Sequence, residues 1–311
     1  MPRQPEVETA AQAPLIVEGT GHPALARAIA AELGGSPAAC LIEHFPDGEI
    51  HVELREDVGA RRAFIVQPTV SPVGELLVEL LLLADALRRA GAASVSAVIP
   101  YFAYARQERR SRRGEALGGR VVAELIDQGR FASIVAVDLH AAALEGFFET
   151  PLEHLSAVSL LAAAVRTIVP RDAVIVAPDL GAVKLASEYA KHLDLPTAVV
   201  QKQRLSGSEV AAVAVLGDVR GKVPVIVDDM VSTGATICAA AAALGAHGAT
   251  GDFTVVATHG LLVGDARERM ARAGVKRLVT TDSVPFRAGA LAHEVVPLAS
   301  SIAQAIRGLM R

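Results

Sequence analysis

Short runs of β-branched residues alternate with longer stretches rich in alanine and leucine along almost the whole chain. Nearly continuous apolar strands separated by helices are typical of parallel sheets that are covered on both faces. The pattern predicts strands at 15–17, 63–66, 95–99, 133–137, 174–176, 198–200, 223–227, 253–257 and 277–280, with helices at 22–33, 73–90 and 118–128. We therefore expect an α/β fold whose ligands bind at the carboxyl ends of the strands.

The two halves of the sequence resemble each other. Residues 136–140 (Ala-Val-Asp-Leu-His) and 226–230 (Ile-Val-Asp-Asp-Met) each end a strand with acids and precede a helix. A chain of 311 residues has the length of two domains, so we expect a duplicated α/β domain. The predicted parts are a disordered tail (1–14), an N-terminal domain (15–155), a C-terminal domain (156–290) and a closing segment with a helix (291–311) that packs back on the N-terminal domain.

Composition narrows the class of protein. The net charge of −4 and the aromatic content of 4% argue against a nucleic-acid-binding protein, which needs a basic surface or stacking side chains. The apolar stretch 76–87 contains Glu79 and Asp85 and is too short to cross a bilayer. Cys40 and Cys238 form no CxxC pair, which fits a reducing cytoplasm. We expect a cytoplasmic protein without a nucleic-acid or membrane partner.

The strongest functional signal lies at 225–236, where an apolar strand is followed by two acids, a loop with hydroxyl groups and an alanine-rich helix. Backbone N–H groups and hydroxyls in such a loop can bind a phosphate, helped by the helix N-terminus. Asp228 and Asp229 could hold ribose hydroxyls or a hydrated Mg²⁺. The alternative interpretation is a capping turn at the strand end. The candidate phosphate ligands are Ser232, Thr233, Gly234, Ala235 and Thr236.

This segment resembles the loop that binds phosphoribosyl diphosphate in type I phosphoribosyltransferases and in ribose-phosphate diphosphokinases (PRPP synthetases). Four further segments, in order, are similar to the diphosphokinases and are lacking in simple phosphoribosyltransferases: 45–49, 100–109, 137–141 and 146–151. The resemblance extends from about Leu15 to the C-terminus. It implies two type I phosphoribosyltransferase-like domains, each a parallel sheet flanked by helices.

The resemblance also implies where ATP binds. Arg106 and Gln107 follow a predicted strand and offer a bidentate cation and an amide to a triphosphate. They begin a run of five arginines between 106 and 113, which could otherwise be a solvated loop or a nucleic-acid patch. By resemblance, a segment from a neighbouring subunit reads the adenine; it could otherwise be a plain hairpin turn. Its residues are Phe45, Asp47, Gly48 and Glu49.

Metal-binding and catalytic residues follow from the same resemblance. Asp138 and His140 lie two residues apart at a predicted strand end and therefore on the same side. The family's pattern assigns Mg²⁺ to His140 and Asp179, with Asp138 as a further candidate. Lys202 and Arg204 match a Lys-x-Arg pair on a mobile loop that closes on the reacting phosphates, and Arg204 would also contact ribose 5-phosphate. Without that resemblance the two cations could be ordinary surface charge.

The turn after the first predicted strand carries a competing signature. Residues 19–24 read G-x-G-x-x-A after a strand, with Glu43 at the end of the next predicted strand, as in dinucleotide-binding folds. Pro23 suits an ordinary first helical turn instead, and the family has a similar turn here. A Walker G-x-x-x-x-G-K motif is absent from the sequence. We therefore favour the diphosphokinase interpretation.

The expected activity is transfer of the β,γ-diphosphoryl group of ATP to the anomeric hydroxyl of ribose 5-phosphate, with Mg²⁺ as cofactor, giving PRPP and AMP. The resemblance further implies a homo-oligomer, a dimer or a hexamer, with the active site near a subunit interface. Alternatives are a catalytically silent regulatory subunit and a phosphoribosyltransferase that consumes PRPP. Ser232 stands where most family members have Asp, but it keeps a hydroxyl for the phosphate.

Overall fold

Parallel sheets flanked by helices make up both halves of the chain, which confirms the predicted fold class. The computed structural model describes the backbone of residues 13–206 and 209–311, and their side chains except at 202–206 and 209–213. Positions 1–12 of the predicted tail lie outside the described residues. The chain separates into two units: residues up to His154 together with Ala299–Arg311, and Leu155–Leu298.

The first unit contains a sheet with the strand order β1-β4-β5-β6-β7, in which β1, β4, β5 and β6 run parallel. Strands β2 and β3 form a separate antiparallel hairpin. The strands are β1 (Leu15–Glu18), β2 (Cys40–His44), β3 (Ile50–Leu54), β4 (Arg62–Val66), β5 (Ser94–Ile99), β6 (Ile134–Val137) and β7 (Leu152–Leu155). The helices before β7 are α1 (Pro23–Glu32), α2 (Val73–Arg89) and α3 (Gly118–Asp127).

Apolar residues at helical spacing position α2 on this sheet. Leu76, Leu80, Leu83 and Leu87 recur at three- and four-residue intervals and are buried. Leu80, Leu83 and Leu87 pack in a core with Ile65 of β4 and other strand residues. This packing fixes the sheet, so that the turns after β5 and β6 leave from a rigid edge.

The second unit contains a sheet with the strand order β10-β9-β8-β11-β12-β13-β14, in which β10 is antiparallel to β9 and the other pairs are parallel. Its strands are β8 (Ala173–Ala177), β9 (Thr197–Ser206), β10 (Glu209–Leu216), β11 (Val223–Val231), β12 (Phe253–Gly260), β13 (Val275–Thr281) and β14 (Ala292–Val296). Its helices are α4 (Val158–Val165), α5 (Val183–Leu193), α6 (Ala235–Ala246) and α7 (Ala266–Arg272). The central strand β11 is buried from Pro224 to Val227 and delivers the acids at its carboxyl end.

The last helix, α8 (Ala299–Leu309), belongs to the first unit and packs against α1. Its buried face consists of Ile302, Ala303 and Ile306. Arg62 of β4 donates from Nη1 to the Leu309 carbonyl at 3.1 Å, and Arg307 donates to the carbonyl of Glu32. The end of the chain is thus joined to the first unit by both apolar packing and hydrogen bonds.

Candidate functional site

Strand β11 carries Asp228 and Asp229 before it ends at Val231. Both acids are half-buried, and the Asp229 amide donates to Asp228 Oδ1 at 3.0 Å. Burial, followed by the negative charge of Asp229 and then that of Asp179, raises the pKa of Asp228 to about 8. A carboxyl group with such a pKa has little water and too much negative charge around it. A cation or a hydroxyl donor at the end of β11 would therefore stabilise the charged form of Asp228.

The loop from Ser232 to Gly234 turns β11 into α6. Gly234 has φ = 72°, and a Cβ on it would lie 3.0 Å from Met270 Cγ, so a larger residue would be both strained and crowded. Ser232 is half-buried and Thr233 is exposed, while Ala235 and Thr236 form the first turn of α6. The first amides of a helix have no acceptor within the helix, and the helix dipole favours an anion beside them.

A neighbouring loop holds this turn from behind. The amides of Leu262 and Val263 donate to the carbonyls of Val231 and Ser232, each at 3.0 Å. The carbonyls of Val231 and Ser232 therefore have donors within the protein. The arrangement that remains, with hydroxyls and helix-end amides near two carboxylates, can bind a phosphate attached to a sugar.

Asp179 follows β8 in the same unit. Its Oδ1 accepts hydrogen bonds from the amides of Gly181 (2.8 Å) and Ala182 (3.3 Å), just before α5. These two bonds stabilise the turn that leads into α5, and the negative charge of Asp179 also raises the pKa of Asp228. Among the described residues, no hydrogen bond to Asp179 Oδ2 is found, so one oxygen remains for a cation.

The sequence pattern predicts that Lys202 and Arg204 follow the end of a strand. In the structure they lie within the strand β9. Strand β9 continues to Ser206, and β10 pairs with it in an antiparallel register that places Lys202 opposite Val213 and Arg204 opposite Val210. The expectation failed because the hydrogen-bonding partner β10 extends the strand beyond its apolar part. The side chains of both residues lie outside the described ones.

In the first unit, the turn after β6 carries Asp138 and His140. Strand β6 ends at Val137 and Asp138 has φ = 36°, a left-handed conformation. Strand alternation therefore does not apply to Asp138 and His140, because β6 ends before them and the backbone turns at Asp138. His140 is exposed, and the amide of Leu139 between the two residues donates to the imidazole of His154. Among the described residues, no three His, Cys, Asp or Glu side chains form a group that could hold a metal ion.

Arg106 and Gln107 lie in a 3₁₀ turn (Ala105–Gln107) that begins after Tyr104, which has φ = 61°. Both side chains are exposed. The segment between β5 and this turn is held by Thr69. Its hydroxyl donates to the Tyr101 carbonyl at 3.0 Å and accepts from the Ala103 amide at 2.6 Å. The turn thus presents a guanidinium and an amide beyond the carboxyl end of β5.

The tip of the β2–β3 hairpin presents Phe45, Asp47, Gly48 and Glu49, all of them exposed. Gly48 has φ = 94°, and its amide donates to the Phe45 carbonyl at 2.8 Å, which closes the turn. The Phe45 ring lies 5.4 Å from that of His51. This segment is therefore a hairpin turn that also displays an aromatic ring at the surface.

In the glycine-rich turn after β1, the amides of Gly19, Thr20 and Gly21 all donate to acceptors within the protein. Thr20 and Gly21 donate their amides to Glu79 Oε1 (2.7 Å) and Gln67 Oε1 (2.9 Å). The Gly19 amide donates to the Val66 carbonyl, and a Cβ on Gly19 would lie 2.3 Å from Gln67 Oε1. These glycines allow the buried Gln67 to approach, and the dinucleotide interpretation has no support.

The predicted residues are divided between the two units. The second unit holds Asp179, Asp228, Asp229 and the 232–236 loop, while the first unit holds the hairpin tip, Arg106, Gln107, Asp138 and His140. Sequence reasoning missed the supporting residues Gln67, Glu79 and His154. The sequence does not reveal the role of His154 on the edge strand β7. Its partner is the backbone amide of Leu139, and any residue except proline has such an amide.

In comparisons with known proteins, each half of the chain matches a family model. Residues 15–129 match the family model for the N-terminal domain of ribose phosphate pyrophosphokinase, and residues 154–293 match that for the phosphoribosyl transferase domain. A ribose-phosphate pyrophosphokinase of Streptomyces avermitilis is 38% identical over 94% of this chain and 92% of its own length. One from Xanthomonas campestris pv. campestris is 41% identical over 89% and 87%.

A solved structure gives the same result. The phosphoribosylpyrophosphate synthetase from Mycobacterium smegmatis superposes with a TM-score of 0.88 at 33% identity, covering 96% of this chain and 99% of its own. In the part of the chain that the structure describes, no helix is long and apolar enough to cross a membrane.

Proposed function

Because this chain belongs to the ribose-phosphate pyrophosphokinase family, we propose that it transfers the β,γ-diphosphoryl group of ATP to the anomeric hydroxyl of ribose 5-phosphate. The products are PRPP and AMP. The observation that carries the proposal is the end of β11, where two half-buried acids precede a loop that opens the N-terminus of α6. The match of residues 15–129 to the N-terminal domain of the family favours this reaction over simple phosphoribosyl transfer.

Ribose 5-phosphate would bind at this loop. Its phosphate accepts hydrogen bonds from the first amides of α6 and from the hydroxyls of Ser232, Thr233 and Thr236. The ribose hydroxyls donate to Asp228 and Asp229, which replaces the water that the carboxylates lack. Gly234 and Ala235 contribute backbone amides, and neither residue has a side chain larger than a methyl group.

ATP would bind in the first unit. Arg106 pairs with phosphate oxygens and Gln107 offers its amide, and both are exposed after a rigid strand. The hairpin tip with Phe45, Asp47, Gly48 and Glu49 is proposed to read the adenine of a neighbouring subunit. This assignment requires a homo-oligomer, a dimer or a hexamer, with each active site near a subunit interface.

The residues present fit Mg²⁺. Asp179 Oδ2 accepts no hydrogen bond from the described residues, and the charge of Asp179, after burial and the charge of Asp229, contributes to the raised pKa of Asp228. By the family's pattern, the candidate Mg²⁺ ligands are His140, with Asp138 as a further candidate, in the first unit and Asp179 in the second. Mg²⁺ usually has few protein ligands and completes its shell with water and substrate phosphates, so a dense protein cluster is not needed. When bound, the ion neutralises phosphate charge.

In the reaction, the anomeric oxygen of ribose 5-phosphate bonds to the β-phosphorus of ATP, and the bond from that phosphorus to the α,β-bridging oxygen breaks. AMP leaves with that oxygen, and the hydroxyl proton passes to solvent. Lys202 and Arg204 would neutralise charge on the transferring group, and Arg204 would also contact ribose 5-phosphate. Phosphoryl transfer depends mainly on such positioning and charge compensation. We place the enzyme in the cytoplasm, acting on small molecules.

Formation of AMP from ATP, measured with and without ribose 5-phosphate and Mg²⁺, tests the proposal. We expect AMP only when both are present. An enzyme that releases diphosphate from PRPP with a nitrogen base, and makes no AMP, would be a phosphoribosyltransferase. A protein inactive alone that stimulates an active homologue would be a regulatory subunit.

The lysine of β9 provides a sharper test. Lys202→Ala is expected to lower kcat at least ~100-fold, because a positive charge that acts on the transition state is lost. The KM for ribose 5-phosphate should change less than about threefold, since its phosphate binds at the α6 loop. Lys191→Ala, at an exposed position in the last turn of α5, is the matched control and should keep kcat. Near-normal turnover in Lys202→Ala would contradict the assigned role.

A further inference from the structure

The turn after β6 has to be held in place. Asp138 has φ = 36°, and residues other than glycine adopt this left-handed conformation only at an energetic cost. Contacts outside the turn must therefore stabilise it. The residues on both sides of the Leu139 amide are those that we assign to Mg²⁺ in this unit, so a shift of this amide would move His140.

An imidazole from β7 provides the contact. His154 Nε2 accepts a hydrogen bond from the Leu139 amide at 3.0 Å, and His154 Nδ1 lies 2.7 Å from Glu145 Oε1. A backbone N–H can only donate, so Nε2 must be the unprotonated nitrogen. Nδ1 then carries the proton and donates to Glu145, which fixes the orientation of the ring. Leu139 is buried, so its amide depends on this acceptor.

We propose that His154 is a positioning residue for the metal-binding turn, acting through the Leu139 amide and oriented by Glu145. The inference rests on the proposed function, because it assigns His154 to the Mg²⁺ ligand His140. Residues that orient metal ligands without touching the metal typically contribute 10- to 100-fold to affinity or activity. A merely structural ion pair between His154 and Glu145 would affect stability alone, and exposed pairs of this kind contribute little.

Two substitutions separate these roles. His154→Gln keeps an acceptor that can reach the Leu139 amide, whereas His154→Leu has a similar size and no acceptor. In His154→Leu we expect hydrogen exchange of the Leu139 amide at least ~10-fold faster, and a Mg²⁺ concentration for half-maximal AMP formation about 10-fold higher. In His154→Gln both quantities should remain within about 1.5-fold of the wild type. The KM for ribose 5-phosphate should stay within about twofold in both, since its loop belongs to the second unit.

Glu145→Ala covers the case in which His154→Leu does not fold, because Glu145 is exposed. We expect the same two changes at about threefold, since the imidazole loses its orientation but not its acceptor. Unchanged exchange and unchanged Mg²⁺ dependence in Glu145→Ala and in a folded His154→Leu would overturn the proposal, as would equal losses in His154→Gln and His154→Leu. A wild-type protein that forms no AMP would refute the proposed function instead, and the exchange rates would still report whether His154 holds the turn.

Discussion

In the first unit, strand β6 ends before its acid, whereas in the second unit strand β11 continues through both of its acids and ends at Val231. The left-handed residue is Asp138 itself in the first turn and Gly234 in the second. A short 3₁₀ segment (Ala142–Phe147) follows the first turn, and the 12-residue helix α6 follows the second. Two similar sequence segments thus form different structures.

The two turns are also held by different means. The first depends on a side chain, since His154 accepts from the Leu139 amide. The second depends on backbone, since the amides of Leu262 and Val263 bind the carbonyls of Val231 and Ser232. These two bonds use carbonyls of the second turn and none of its amides or hydroxyls. In the first turn, the bond from the Leu139 amide to His154 leaves the next residue, His140, exposed at the surface.

The largest effect is expected at Gly234, where the second turn tolerates no side chain. Gly234→Ala places a Cβ 3.0 Å from Met270 Cγ in a left-handed conformation. Strain and crowding together should lower the free energy of unfolding by about 3 kcal/mol. The misplaced start of α6 should raise the KM for ribose 5-phosphate at least ~10-fold. Thermal unfolding and initial rates measure the two effects.

Gly245 in the same helix is the matched control. A Cβ there meets no atom within 4 Å, and the residue has no positive φ. Gly245→Ala should therefore stabilise α6 by about 0.5–1 kcal/mol, through helix propensity alone, and leave the KM unchanged. Equal stability and equal KM in the two variants would show that Gly234 is not required by the turn.

A smaller effect is expected from the charge at the end of β11. The folded pKa of Asp228 is about 8 and its ordinary value is 3.8. Between these values the folded protein retains a proton that the unfolded chain has lost, so the free energy of unfolding falls as pH rises through this window. From pH 5 to pH 8, without ligands, the wild type should lose on the order of 2 kcal/mol more than Asp228→Asn. Chemical denaturation at both pH values measures the difference.

An identical pH dependence in Asp228→Asn and the wild type would contradict the buried-charge interpretation of this turn. Asp218→Asn serves as the control, because its side chain is 72% exposed and pairs with Lys222 at the surface. Its pH dependence should follow the wild type. A difference between Asp228→Asn and Asp218→Asn would show that burial makes the charged form of Asp228 costly. No such cost is expected for the exposed Asp218.

The sequence predicts the α/β fold and the carboxyl-end loops because apolar strands and amphipathic helices are local patterns. It also marks 228–236 as a candidate site near the end of a buried strand, although β11 runs through both acids to Val231 and not only to the predicted end at 227. It does not predict that β9 reaches Ser206, because that depends on pairing with β10. Nor does it predict the turn at Asp138 or its support by His154, since a φ angle and a contact across 15 residues leave no periodic signal.

The smallest effect is expected at Asp138, where the first turn has a left-handed residue that is not glycine. Asp138→Asn should change the free energy of unfolding by less than ~0.5 kcal/mol, because asparagine adopts this conformation about as readily as aspartate. Asp138→Val should cost about 1–2 kcal/mol, because a β-branched residue is strained there. Equal stabilities of the two variants, measured by chemical denaturation, would show that the first turn relaxes and does not depend on its backbone conformation. A Mg²⁺ dependence that is unchanged in Asp138→Asn would leave His140 as the metal ligand of this turn and remove Asp138 from the site.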